Sequence, residues 1–254
     1  MVAPDSPADG SFVAPDVVLG EGVELAPGAV VHAGVRLGAQ SRIGSGAVVH
    51  AGTQVGERCV VEDGAVLGKR PSLRPGSSAE GGELAALVLD DEVIVCAGAV
   101  VYAGARIGRR AIIGDQSQVR ERSSVGERTV VGRASCVDFD ARVGAHVSIQ
   151  TGVYVTGGSI VEDDVFLGPG VLTTNDSAMG RHPRGEPLSG PHFKRACRVG
   201  SGVVLTPGVT IGEEAFVAAG ALVTRDVGDR QVVMGSPARV VREVPEEDLI
   251  ENWR

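Results

Sequence analysis

Branched aliphatic residues recur along this chain at every sixth position. Starting from Leu19, the steps land on Leu25, Val31, Leu37, Ile43, Val49, Val55, Val61 and Leu67. The phase breaks there, resumes at Leu89 and holds through Leu167 to Thr173, then returns from Val199 to Val223. Of 29 stepped positions, only Thr173 is not Leu, Ile or Val. Two residues before each step stands a small residue or Val, with Leu87 the one exception. Residues two apart share one side of an extended chain, so both point inward. Six residues then make one short strand and one corner. Three such units close a triangular coil, and coils stack by parallel pairing at about 4.8 Å.

The pattern therefore predicts an all-β, parallel β-helix of about ten triangular coils over 17–241, each coil stabilised by its neighbours. A β-sandwich would show irregular strand lengths and no strict six-step. Two segments leave the grid, 68–88 and 174–198. Both follow the third hexad of a coil, so both should emerge from one edge of the prism. Long polar loops on a rigid scaffold are usually functional. Residues 1–16 read as a disordered or extended N-terminus, and 242–254 as a short C-terminal helix.

Composition sharpens this picture. The 254 residues include 37 Gly and only 8 aromatics, with 43% hydrophobic residues. That apolar content excludes collagen and disorder. The narrow prism explains the scarcity of rings, and Gly after the stepped position (Gly20, Gly38, Gly44) suggests corners that need unusual backbone angles. The net charge of −8 and the few rings argue against nucleic acid. There is no signal-peptide pattern and no apolar run long enough to span a bilayer, so a cytoplasmic protein is expected. Cys59 and Cys197 fall on small inward positions, whereas Cys96 and Cys136 face outward without a base. None is expected to be a nucleophile.

The six-residue [LIV]-G pattern resembles the hexapeptide-repeat acyltransferases, which implies a left-handed coil. The run from Ile149 to Arg184 and the closing GSPAR are similar to the branch that N-acetylates nucleotide-linked amino sugars. The matching residues are Gln150, Glu162, Asp163, Asp164, Asn175, Asp176, Pro183, Arg184, Pro237, Ala238 and Arg239. Gly152 stands where that branch has an acceptor-contacting Asn, and Ser236 replaces a second Asn. The resemblance implies acetyl-CoA as acyl donor along the final coils. Amides near Gly202, Ala219 and Gly220 would hold the pantetheine, Pro237 would support the ring, and Arg225 and Arg239 would lie near the phosphates. It places the amino sugar at Gln150, Glu162, Asn175, Asp176, His182 and Arg184. It also implies a homotrimer.

Acyl transfer needs an aligned neutral amine, donors for the oxyanion and a proton for the thiolate. His146, at a corner, is the first candidate base, with Asn175 beside the reaction; His182 and His192 are alternatives in the loop. Thr173 breaks the aliphatic rule just before Asn175, as though the coil opened there. His32 and His50, 18 apart, should stack as an outward ladder rather than bind a metal. The three-histidine zinc set of the γ-carbonic anhydrases, which share the coil, has no counterpart in spacing, and no metal is expected. The rival readings are acetyl-CoA-dependent transfer to a hydroxyl or a non-nucleotide amine, or a non-catalytic scaffold.

Overall fold

A computed structural model of the chain describes residues 10–253, apart from 75, 76, 78, 80, 81, 182, 184 and 185. It is an all-β parallel solenoid with three faces. Face I stacks 11 strands from Phe12–Val13 to Leu222–Val223, and face II stacks 10 from Val18–Leu19 to Thr210–Ile211. Face III stacks 12, from Glu24–Leu25 to Gln231–Met234 and Arg239–Glu243. Within the regular coils each strand pairs in parallel with the one 18 residues on, as Val30 does with Val48 and Arg42 with Val60.

The stepped aliphatics fill the interior. Val31, Val49, Leu67, Val95, Val131 and Val155 are each fully buried, and so are their small partners Ala29, Ala47 and Ala65. Burying each Val or Leu is worth roughly 1.5–3 kcal/mol. Inward Ser and Thr earn their place by crossing coils. Ser41, Thr129 and Ser135 donate to the carbonyls of Gly56, Gly144 and Gln150, each at 2.8 Å. The corresponding partner of Thr53 would be Gly68. There the strand Val66–Lys69 shifts register as the chain departs, and Thr53 Oγ1 is left buried without a partner among the described residues.

Glycine serves two purposes, only one of them foreseen in kind. The left-handed corner residue is three after the step, where Gly152 has φ +69° and His146 φ +56°. The glycines one after the step lie outside that region, except Gly68, where the chain leaves the coil with φ +72°. A Cβ on Gly126 would instead land on the carbonyl of Gly144 in the next coil, and one on Gly108 would lie 2.7 Å from Glu127 N. Those positions need glycine because coils touch there.

Both excursions leave at the edge between faces I and II. The second ends sooner than the expected 198, because His192–Phe193 is already a strand of face II and Phe193 fills the inward position with no exposure. A phenylalanine at that step hid the hexad. The first gap closes at Val88–Leu89. At the N-terminus Phe12–Val13 pairs with Val30–Val31, so the coil begins inside the segment expected to be disordered or extended. The short helix expected over 242–254 takes the form of two 3-10 turns among the described residues. Arg239–Glu243 runs antiparallel to Gln231–Met234, and two 3-10 turns follow, Glu246–Asp248 and Ile250–Asn252. Leu249 anchors them on Val232 and Val244 beside Phe216. Among the described residues no helix is long and apolar enough to cross a membrane.

Candidate functional site

Thr173 marks the point where the coil opens. Its hydroxyl accepts from Thr156 N at 2.7 Å and donates to Tyr154 O at 2.8 Å. Elsewhere in the regular coils a backbone carbonyl receives that N–H, as Val155 O does from Asp138 N. The side chain thus substitutes for a carbonyl turned away as the chain departs. Asn175 then donates through Nδ2 to Gly157 O at 3.0 Å. Asp176 takes a different role from the expected sugar contact, because its two oxygens accept Ala178 N at 2.8 Å and Gly180 N at 2.6 Å. It shapes the loop.

When the chain returns, His192 pairs in register with Ile160. Its Nε2 lies 2.7 Å from Glu162 Oε1, and Glu162 Oε2 accepts Arg195 N at 2.9 Å. Both carboxylate oxygens are held, and the histidine is fixed by one of them. Asn175 bonds Gly157 before the face II strand Ile160–Val161, and His192 bonds Glu162 after it, so the two contacts flank that strand. A histidine oriented by a carboxylate is the arrangement a general base requires. The sequence placed His192 in a loop and gave no sign of its partner. The signal was present, however: His192 stands one residue before an inward position, if Phe193 is counted as a step.

The other anticipated residues lie elsewhere. His146 sits on the edge between faces II and III, one coil earlier, with Nδ1 3.8 Å from Asp164. It shares that edge with Glu162 and Asp164, which follow the next face II strand. Gln150 lies on the edge between faces III and I, where its Nε2 donates to Ser148 Oγ at 2.8 Å. Gly202, Ala219, Gly220 and Pro237 share that edge. The N–H groups of Gly202 and Gly220 are not available to a ligand, since they donate to Pro169 O and Ser201 O at 2.9 Å. The exposed amides are those two after the step, Ser201 and Ala219, which make no hydrogen bond among the described residues. Arg225 is on the edge between faces I and II, apart from them, and Arg239 donates to Ala238 O. His182 and Arg184 lie outside the described residues.

Cys59 and Cys197 are fully buried, as their inward positions require. Cys96 lies with Glu62 and Asp115, their ligand-capable atoms within 4.8 Å. Burial first, then the two carboxylates, push its thiol up to about 11. His32 and His50 stack with centroids 5.3 Å apart and planes 10° apart.

Residues 34–69 match the bacterial transferase hexapeptide model (six repeats), and residues 195–225 match the hexapeptide repeat of succinyl-transferase. Those two stretches carry the hexapeptide repeat. No curated protein matches it. Among solved structures, the hexapeptide coil is similar to the Arabidopsis UDP-N-acetylglucosamine acyltransferase, at 19% identity over 96% of this chain and 75% of that one, TM-score 0.43. The Francisella novicida UDP-N-acetylglucosamine acyltransferase matches at 16% identity over 95% and 73%, TM-score 0.47. The acetyltransferase domain of PglB from Neisseria gonorrhoeae, in complex with acetyl coenzyme A, matches at 21% over 59% and 58%, TM-score 0.37.

Proposed function

We propose that this hexapeptide-repeat protein is an acyltransferase that moves the acetyl group of acetyl-CoA to the amine of a nucleotide-linked amino sugar. The observation that carries the reading is His192, held 2.7 Å from Glu162 on face II. The neutral amine attacks the thioester carbonyl, and the nitrogen gives its proton to His192. Glu162 keeps the imidazole in place. The tetrahedral intermediate expels the CoA thiolate, which takes up a proton as the new amide forms. No covalent enzyme intermediate is required. Asn175 orients the acceptor from the other side of the strand Ile160–Val161. His192 replaces His146 in this scheme because its carboxylate is the closer, at 2.7 Å against 3.8 Å. Acetyl-CoA would lie along the final coils on the edge between faces III and I, with Ser201 and Ala219 as outward donors and Pro237 and Arg239 at the end of its path, so the thioester that reaches His192 belongs to a neighbouring copy.

The outer faces support a homotrimer. The outward residues of face I include Val30, Val48, Val66, Val100, Leu172, Val204 and Leu222, and those of face III include Val60, Ile94, Ile112, Val130 and Phe166. Face II is more polar, with Arg36, Gln54, Arg106, Ser124, Arg142, His192 and Thr210 beside Val18, Val88 and Ile160. Copies that cover faces I and III leave face II, with His192, open to substrate.

Incubation with acetyl-CoA and a panel of dTDP- and UDP-linked amino sugars, followed by free thiol, tests the activity. Thiol release dependent on one amino sugar is expected, and no release above background from any of them sinks the reading. Release with hydroxyl sugars alone turns the acceptor to an oxygen nucleophile.

A further inference from the structure

We propose that Arg142 binds the diphosphate of the acceptor, so that a nucleotide-linked amino sugar lies along face II with its amine at His192 and its nucleotide directed toward the N-terminal coils. This rests on the acyltransferase reading above and gives the acceptor a phosphate seat that the motif residues do not supply.

The charge of face II carries the inference. The chain has a net charge of −8, yet none of the ten strands of this face presents an outward acid. Its outward arginines are Arg36, Arg106 and Arg142, in line with His192. On the two edges that border the face, arginines are paired with acids. Arg110 meets Glu92 at 2.8 Å, Arg122 meets Asp140 at 2.7 Å and Arg195 meets Glu213 at 2.8 Å. Arg106 and Arg142 are exposed, and among the described residues their guanidinium groups have no hydrogen-bond or ion-pair partner. A stripe of positive charge on an acidic protein draws anions to one face. A free guanidinium there can take two phosphate oxygens at once.

Strand register sets the distances. Arg142 pairs with Ile160, and Ile160 with His192. Arg142 therefore stands two strands from His192, about 10 Å at the usual spacing. Arg106 pairs with Ser124, and Ser124 with Arg142, which puts it about 10 Å further out. In a nucleotide-linked amino sugar, one pyranose ring separates the amine from the diphosphate. That ring covers the gap between His192 and Arg142. Ile160, 39% exposed between them, offers an apolar surface to its C–H face. Arg106 lies beyond the phosphate next to the sugar and acts on it only through its field. Acetyl-CoA, along the final coils, leaves this stretch of face II free.

Calorimetric binding of UDP and dTDP tests the seat without the sugar or the reaction. The unaltered chain is compared with Arg142→Gln, Arg142→Lys and Arg106→Gln, and KM values are taken for the amino sugar and for acetyl-CoA. Circular dichroism melts establish that each variant folds. Arg142→Gln should weaken nucleoside diphosphate binding and raise the amino-sugar KM by at least about tenfold, with the acetyl-CoA KM unmoved. Arg142→Lys should recover part of both, since it keeps the charge and loses the two-pronged contact. Arg106→Gln should cost less than Arg142→Gln, because its charge acts from about a Debye length away. Equal binding of UDP and dTDP to the unaltered chain and to Arg142→Gln, or no binding to either, overturns the seat while thiol release keeps the acyltransferase reading. A rise in the acetyl-CoA KM alone assigns Arg142 to the phosphates of the donor and also overturns it. Binding that depends on Arg142, without thiol release from any amino sugar, upholds the diphosphate seat and overturns the reaction.

Discussion

Glycine in this chain is a residue-scale requirement with two physical origins. Gly126→Ala should destabilise by about 1–3 kcal/mol or more, because the new methyl meets backbone that cannot move without parting two coils. Gly152→Ala, at an open left-handed corner, should cost only about 1–2 kcal/mol of backbone strain. Denaturant melts check the order, and equal losses would refute the distinction. At the site, His192→Ala should lower kcat by about 100-fold while His146→Ala leaves it within about twofold of the parent. Glu162→Gln should lower kcat with little change in KM, as fits a positioning residue. A His146→Ala enzyme that loses more rate than His192→Ala would return the base to His146. The sequence made His146 legible because it stands at a corner on the grid. It left His192 only an alternative because the partner carboxylate is 30 residues away, on the preceding coil.

Among elements, the stacked histidines are the most responsive to conditions. Burial first, then His32 and Lys69, lower the His50 pKa below its ordinary 6.5. The folded chain therefore binds the proton less readily than the unfolded chain does. That contribution is complete above about pH 6.5 and is lost as the pH falls through the depressed folded value. The melting temperature should drop between pH 7 and 5.5, and His50→Gln should flatten that drop. An unchanged slope would mean the ladder is inert. The excursions show how far element boundaries could be read. The phase break after Leu67 was unmistakable, since a six-residue rule has no tolerance for drift. The early return at Phe193 was not, since an aromatic residue breaks the aliphatic rule while still fitting a wider coil.

For the whole molecule, the proposed homotrimer rests on the asymmetry of the three faces. Leu172→Glu on face I should convert an oligomer to monomers in sedimentation or light scattering, whereas Arg142→Glu on face II should not. A species of unchanged mass for Leu172→Glu would remove face I from the interface. The same asymmetry leaves the His192 face free and keeps both excursions at one border of it.

The sequence alone determined the solenoid, its step, its inward residues and the edge from which both loops depart. These follow from local periodicity, where each residue's role depends only on its place in a six-residue unit. It also marked Thr173 and Asn175 as an opening. Tertiary structure alone decided which residues meet there. Residues 18 apart stack by the coil's own rule, but Glu162 meets His192 because a loop of uncounted length intervenes, and the amides of Gly202 and Gly220 are spent on a neighbouring coil. Hydrogen-bond partners across coils depend on where an excursion lets the chain return, and that is set by packing rather than by pattern.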